Sequence, residues 1–377
     1  MAERSAAGFL RQEGTPREIG RIRRLCGSLA RRRVDLFLCV RLTNIRYLTG
    51  FSGSDAALLV AGGSATLFTD GRYREQARQE VSGAEVVITD RKWKEIARRI
   101  RGAGRALGLR RAPRIGFESR HLSVELFRKV AGRDDRRWTA LPDPVEPLRM
   151  RKDGGEIRAM EEAAITASGS LLEVLVEGIR GRRESEVAAD LARGMKRQGA
   201  EESFRAIVAS GARSAMPHAT PSSGRIAKTG PVVIDLGARL RGYCSDETVT
   251  ILPRRPSKDL ARIYDAVLRA QEAGIRAVRP GVACREVDAR VRESLDRSGV
   301  LQYFVHSTGH GVGLDVHERP SLSARSRDRL DEGMVVTVEP GVYIPGLGGV
   351  RIEDMIRVTG TRGERLTYLP KSRMQVA

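Results

Sequence analysis

The sequence predicts two unlike domains in one chain: an α/β N-terminal domain, then an α+β domain built on antiparallel sheet. Three observations predict it. In the first third, short β-rich apolar runs alternate with segments of helical periodicity, the pattern of a sheet sandwiched between helices. Pro142-Asp143-Pro144-Val145-Glu146-Pro147 then places three prolines in six residues, which favours an extended linker. Beyond it, apolar strands carrying a single carboxylate run into turn residues and return strands, the mark of hairpins. These observations put the domains at residues 1–148 and 149–377.

In the first domain, Ile19, Ile22, Leu25 and Leu29 recur at helical spacing within 17–32, and Val34 to Val40 is a β-rich run. Leu58 to Val60 and Thr66 to Phe68 are short strands separated by the turn Ala61-Gly62-Gly63-Ser64. Asp70-Gly71 closes a turn before a helical run, Arg72 to Glu80. Val86 to Thr89, a basic helix, Arg114 to Phe117 and a helix from Ser123 complete the alternation. In the second domain, amphipathic helices are expected over 155–179 and 184–198, then strands from Phe204 onward, interrupted by helices at 258–278 and 284–298.

A chain of 377 residues with 41% hydrophobic and 30% charged residues, evenly mixed, reads as globular rather than disordered. No run approaches the roughly 18 apolar residues of a membrane span, so no membrane association and a cytoplasmic location are expected. Cys26, Cys39, Cys244 and Cys284 lack metal-knuckle or disulfide spacing and read as reduced thiols. The net charge of +20 raises the question of nucleic acid. Arg91 to Arg114 is the densest stretch, with ten basic residues against the single Glu95. It lacks interleaved aromatics for base stacking, so a solvated basic face is favoured over a nucleic-acid site.

The chemistry concentrates later. Tyr303 to Glu318 holds three of the chain's five histidines, His306, His310 and His317, and Gly309, Gly311 and Gly313 remove side-chain bulk around His310. Pro231 to Gly237 is an apolar strand with Asp235 inside it, and a buried carboxylate needs a cation. Tyr243 to Ile251 is its return strand. A hairpin pivoting between Leu240 and Arg241 would set Asp246 opposite Asp235. Met334 to Glu339 repeats the logic, and a hairpin centred on Gly346 would set Glu353 across from Glu339. Asp235, Asp246, Glu339, Glu353 and His310 make a set of four carboxylates and one imidazole. Such a set suits two divalent ions roughly 3.5 to 4 Å apart. Its oxygen-rich composition favours manganese over a closed structural zinc site, with cobalt, zinc or iron as alternatives.

The segments Met216-Pro217-His218-Ala219, Ile234-Asp235-Leu236-Gly237, Cys244-Ser245-Asp246-Glu247-Thr248, His306-Ser307-Thr308-Gly309-His310-Gly311, Val338-Glu339-Pro340-Gly341 and Arg351-Ile352-Glu353-Asp354 resemble the metallopeptidases of pita-bread fold. Asn44 to Ser54 and Leu67 to Tyr73 look like the N-terminal domain of Xaa-Pro aminopeptidases and prolidases. The resemblance implies that Asp235, Asp246, His310, Glu339 and Glu353 ligate two metal ions, and that His218, His306 and His317 surround the substrate. It also places Arg351 beside the last ligand. It implies hydrolysis by a metal-bridging hydroxide, with Glu339 handling the nucleophile's proton and a histidine meeting the developing oxyanion. The implied substrate is a peptide with proline at its second position, and the implied assembly a homodimer. An aminopeptidase is the first reading, a dipeptidase (prolidase) the alternative, and a non-catalytic binding module a remote one. One departure stands out: the family often has Thr-Arg-Thr where this chain has Thr248-Val249-Thr250.

Overall fold

Hydrophobic alternation builds the first half of the chain around one mixed sheet. The computed structural model describes residues 9–11, 16–132, 135–372 and 374–375. The chain divides into two compact units, Met1–Arg149 and Met150–Ala377. Unit one contains strands β1 (Phe9–Arg11), β2 (Leu36–Cys39), β3 (Ala57–Ala61), β4 (Ser64–Thr69), β5 (Glu85–Ile88), β6 (Ile115–Glu118) and β7 (Trp138–Leu141). Its helices are α1 (Pro16–Arg31), α2 (Leu42–Thr49), α3 (Arg74–Glu80), α4 (Lys92–Ala106), α5 (Val124–Ala131) and α6 (Glu146–Arg149). The strand order is β1-β5-β4-β3-β2-β6-β7. Leu36, Leu38, Leu59, Phe68 and Val87 pack against Ile96 and Ile100 of α4. The alternate residues Phe37, Leu58, Leu67 and Val86 are also buried, so both faces of the sheet are covered as the alternation predicts.

Two features depart from the sequence reading. Residues 42–49 form α2, whose start lacks a side-chain cap of its own. The buried Glu118 carboxylate supplies one from β6, accepting from the backbone N–H groups of Val40 (2.6 Å) and Arg41 (2.7 Å). A partner so distant in sequence leaves no local signal. The proline-rich segment, expected to be an extended linker, instead bends into α6. Pro147 sits in the first turn of that helix, where a missing N–H costs nothing. Glu146 accepts from Arg41 and Asn44, so this segment is tied down by polar bonds.

Unit two carries helices α7 (Gly154–Val176), α8 (Glu184–Arg197), α9 (Lys258–Ala277) and α10 (Cys284–Arg297). Its strands are β8 (Glu201–Glu202), β9 (Ile207–Ser210), β10 (Val232–Leu236), β11 (Ala238–Leu240), β12 (Tyr243–Cys244), β13 (Glu247–Leu252), β14 (Gly309–Gly311), β15 (Glu318–Leu322), β16 (Val335–Val338), β17 (Gly341–Ile344), β18 (Gly348–Arg351), β19 (Asp354–Val358), β20 (Gly363–Arg365) and β21 (Met374–Gln375). Sheets ordered β21-β13-β10-β9, β12-β11-β8, β15-β14-β16-β19-β20 and β17-β18 result, antiparallel except for the β13–β21 pair. No helix among the described residues is long and apolar enough to cross a membrane.

Register positions the carboxylates. In the first hairpin Leu240 pairs with Tyr243, so the turn is Arg241-Gly242, with φ of 49° and 85°. Positive φ at both central residues is the type I′ geometry that suits strand twist. The pivot therefore lies one residue later than expected, and Asp235 faces Thr248 rather than Asp246. A displacement of two residues in pairing preserves the face, so both aspartates still look the same way. The second hairpin is centred on Gly346, since Ile344 pairs with Gly348, and the same register continues through Val338 and Asp354. Glu339 and Glu353 stand at the junction between those two ladders.

His310 depends on backbone closeness. A Cβ on Gly309 would lie 2.0 Å from the Thr337 carbonyl oxygen, and one on Gly311 2.3 Å from that of Arg319. Only glycine permits β14 to sit this tightly between its neighbours. Gly309→Ala is expected to cost more than about 2 kcal/mol in chemical denaturation, as an overpacked backbone contact. A change below about 0.5 kcal/mol would show that β14 is held otherwise.

Candidate metal centre

Five stretches in or beside strands deliver acidic or imidazole side chains to one cavity. Asp235 comes from β10, Asp246 from the bend before β13, His310 from β14, Glu339 from the end of β16 and Glu353 from the start of β19. Single donor atoms of Asp246, His310 and Glu353 all lie within 4.8 Å of one another. His310 Nε2 is 3.7 Å from Asp246 Oδ2 and 3.3 Å from Glu339 Oε1. These five side chains line one cavity of about 300 Å³, together with His218, His306, His317 and Arg351. Every residue singled out in the sequence thus reaches the same cavity. Val249 does not: it is buried in the apolar core with Val232 and Ile234, on the opposite strand face. The departure from the family pattern therefore leaves the cavity lining untouched.

Hydrogen bonds fix the ring orientations. His310 Nδ1 is 3.0 Å from the Gly311 carbonyl oxygen, which can only accept, so Nδ1 carries a hydrogen and Nε2 is the atom turned to the carboxylates. Thr337 Oγ1 accepts from His310 N and donates to Glu339 Oε1, both at 3.0 Å. Thr248 Oγ1 donates to Glu353 Oε2 at 2.6 Å and accepts from Arg351 Nε at 3.2 Å. Arg351 also donates to Asp235 Oδ2 (2.6 Å), Tyr343 Oη (2.9 Å) and the Pro217 carbonyl (3.1 Å). An arginine only donates, so Tyr343 accepts from it and spends its one hydrogen on His306 Nε2, 2.9 Å away. His306 Nδ1 must then donate to the Ser307 carbonyl at 2.8 Å. Both nitrogens of His306 are occupied. His218, exposed on its loop, and His317, its ring 4.3 Å from that of His310, have no hydrogen-bond partner among the described residues.

Sequence reasoning missed the supporting layer. Thr248 and Thr337 lie two positions from Asp246 and Glu339, so the period of two was the available signal, whereas Tyr343 is four positions beyond Glu339 on β17 and carried none. Glu247 and Asp354 each follow a carboxylate of the site directly and are buried. Lys371 meets both, at 2.6 Å and 3.4 Å. No local pattern ties residue 371 to residue 247.

The electrostatics are those of too many acids in one place. Burial, then the negative charges of Glu353 and Asp235, push the Asp246 carboxyl well above its ordinary range. Glu353 is raised likewise by burial and by Glu339 and Asp235. Burial also raises Asp235, against the pull of Arg351. Glu339 goes the other way: burial alone would raise it, but its bond to His310 and the nearby charges bring it down to about 2. Such divergence is the mark of clustered groups that cannot all ionise alone.

This arrangement is a candidate centre for divalent cations, in a fold of the pita-bread type. Residues 158–360 match metallopeptidase family M24, and residues 21–151 match the creatinase/prolidase N-terminal domain. The chain belongs to metallopeptidase family M24. It is 36% identical over 349 residues to a Xaa-Pro dipeptidase of Pyrococcus horikoshii, covering 92% of this chain and 96% of the relative. A Xaa-Pro dipeptidase from Bacillus anthracis superposes with a TM-score of 0.90 at 38% identity, over 95% of this chain and all of the other. An X-Pro aminopeptidase from Thermotoga maritima reaches a TM-score of 0.83 at 34% identity, over 94% and 99% of the two chains. The protein is therefore a metallopeptidase.

A carboxyl whose pKa is higher in the folded than in the unfolded chain contributes stability that is complete in acid and is lost as pH rises through the folded value. In metal-free protein, Asp246→Asn or Glu353→Gln should therefore raise Tm at pH 8, by roughly 2–4 °C for each kcal/mol of repulsion relieved, and raise it less at pH 5. Equal or lower Tm at pH 8 would mean that these acids do not repel one another in the folded chain.

Proposed function

We propose that this chain is a Xaa-Pro dipeptidase, cleaving the bond before a C-terminal proline with two divalent ions held by Asp235, Asp246, His310, Glu339 and Glu353. The convergence of four carboxylates and one imidazole carries the metallohydrolase part of this reading. The residues suit cations on their own terms. Asp235 Oδ1 is buried without a hydrogen-bond partner, and burial, reinforced by neighbouring negative charges, raises Asp246 and Glu353. Oxygen-rich donors with one imidazole favour manganese. The choice of a dipeptide, against the aminopeptidase first read from the sequence, is supported by the full-length likeness to Xaa-Pro dipeptidases and by a cavity near the lower end of the usual pocket range, roughly 300–1,000 Å³. The likeness to an X-Pro aminopeptidase keeps that reading as the competitor.

Divalent ions in such a site lower the pKa of water and polarise the scissile carbonyl. The chain's own groups do the rest. Glu339, ionised at neutral pH, takes the proton of the nucleophile on a carboxylate oxygen and can return it to the leaving prolyl nitrogen. Arg351 spends four of its five N–H donors on Asp235, Thr248, Tyr343 and Pro217, so its main work is to hold Asp235 in place. His306 is locked by Tyr343 and Ser307. His218 and His317, with free ring nitrogens, are the groups available to meet the carbonyl oxygen and the prolyl carboxylate. An X-Pro amide has no N–H, so recognition has to come from such flanking groups.

Chelation should abolish hydrolysis of Ala-Pro, and manganese should restore it, with Ala-Pro-Ala cleaved far more slowly. Preference for Ala-Pro-Ala would favour the aminopeptidase, and full activity without metal would remove the whole reading. His218→Ala and His317→Ala should each lower kcat/KM about a hundredfold, the loss of one electrostatic or proton-transfer contact. Bound metal should stay unchanged in both variants. Loss of metal from either would make that histidine a ligand instead.

A further inference from the structure

The basic stretch at 91–114 finds no use in peptide hydrolysis, and the fold splits it in two. In α4, Lys92 pairs with Asp55, Arg98 with Glu95, and Arg99 with Glu85 and Glu95, while Lys94, Arg101 and Arg105 have no acidic partner among the described residues. Beyond α4, Arg110, Arg111 and Arg114 lie in the loop before β6. Parallel pairing of β6 with β2 sets Leu36 beside Ile115, which brings this loop against Arg31, Arg32 and Arg33 at the end of α1. All six arginines are exposed.

Between the two segments is a cavity of about 390 Å³ lined by Ala30, Arg33, Val34, Asp35, Arg111 and Arg114. Asp35 is its one acid, and it is already committed. Its oxygens accept from Arg111 Nη1 (2.7 Å) and Nη2 (2.9 Å) and from the backbone N–H of Arg114 (2.7 Å). That two-pronged grip orients Arg111, and the same carboxylate also attracts the charge of Arg114. The guanidinium groups of Arg33 and Arg114 have no hydrogen-bond or ion-pair partner among the described residues. Arg33 also sits at φ 57°, a left-handed conformation that glycine or asparagine would adopt at less cost. That conformation belongs to the turn closing α1, where the Arg33 N–H bonds the Ala30 carbonyl and the Val34 N–H that of Leu29, and it leaves Arg33 lining the cavity beside Arg111 and Arg114.

We propose that this cavity is a binding site for a diphosphate group, with Arg33, Arg111 and Arg114 as its ligands. Three guanidinium groups against one spent carboxylate match a polyvalent oxyanion, and forked donors suit phosphate oxygens. The lining has no aromatic ring, so a nucleobase would gain nothing there. The site is separate from the peptidase centre and independent of the reading given for it.

The test is calorimetric titration of the full-length protein with inorganic pyrophosphate and, separately, with ADP, beside the variants Arg33→Gly and Arg33→Gly/Arg114→Gln. Pyrophosphate and ADP should bind with similar affinity at one site per chain, weakening as salt is raised. The double variant should bind at least tenfold more weakly. Arg33→Gly removes the strained side chain, so its Tm should equal or exceed that of the parent, separating lost binding from lost fold. Ala-Pro hydrolysis should not change. Unaltered pyrophosphate affinity in the double variant would overturn the proposal, placing the binding elsewhere on a basic chain. Binding of ADP alone, or no binding at millimolar pyrophosphate, would overturn it equally.

Discussion

Four carboxylates in one cavity, Asp246 and Glu353 buried and Asp235 and Glu339 partly so, are the constraint on which the rest of this structure depends. Removing one such group from water costs several kcal/mol, and here each also faces the others. Protein cations answer only part of that charge. Arg351 meets Asp235, His310 meets Glu339, and Lys371 neutralises Glu247 and Asp354 one layer behind. Asp246 and Glu353 are left to be compensated by protons or by metal, and their raised carboxyls record that deficit.

The surrounding fold is organised to keep those acids from separating. Two hairpins carry two carboxylates each, and the strands themselves set the spacing. The ladder β10–β13 fixes Asp235 against Thr248, and the ladders on either side of Glu339 and Glu353 share one register. Threonine hydroxyls then finish the alignment, because each can donate to a carboxylate while accepting from a neighbour. Arg351 links these parts, joining an aspartate, a threonine, a tyrosine and a backbone carbonyl. Histidine roles follow from the same count of donors and acceptors: what Tyr343 and Ser307 take from His306 remains available on His218 and His317.

Much of this was legible in the sequence because its signals are local. Apolar strands with one acid, glycines around His310 and turn residues after Pro345 all act over a few positions, and the nine singled-out side chains do share one cavity. What was not legible depends on partners far away. Two pivots for the first hairpin differ by one residue and keep the same face, so alternation cannot choose between them; the left-handed pair Arg241-Gly242 does. The cap that Glu118 provides for α2, the turn of helix hidden in the proline-rich segment, and Lys371 behind the metal site all join positions tens of residues or more apart. Val249 departs from the family pattern, yet strand alternation sends it to the core.

The most direct test of the account is a manganese titration of metal-free protein followed by electron paramagnetic resonance. The account predicts two ions bound per chain, with the broadened spectrum of two manganese ions close enough to couple magnetically. It predicts loss of that coupled spectrum when Asp246 is replaced by alanine. One ion per chain with an isolated-manganese spectrum, or two ions that persist in Asp246→Ala, would contradict it.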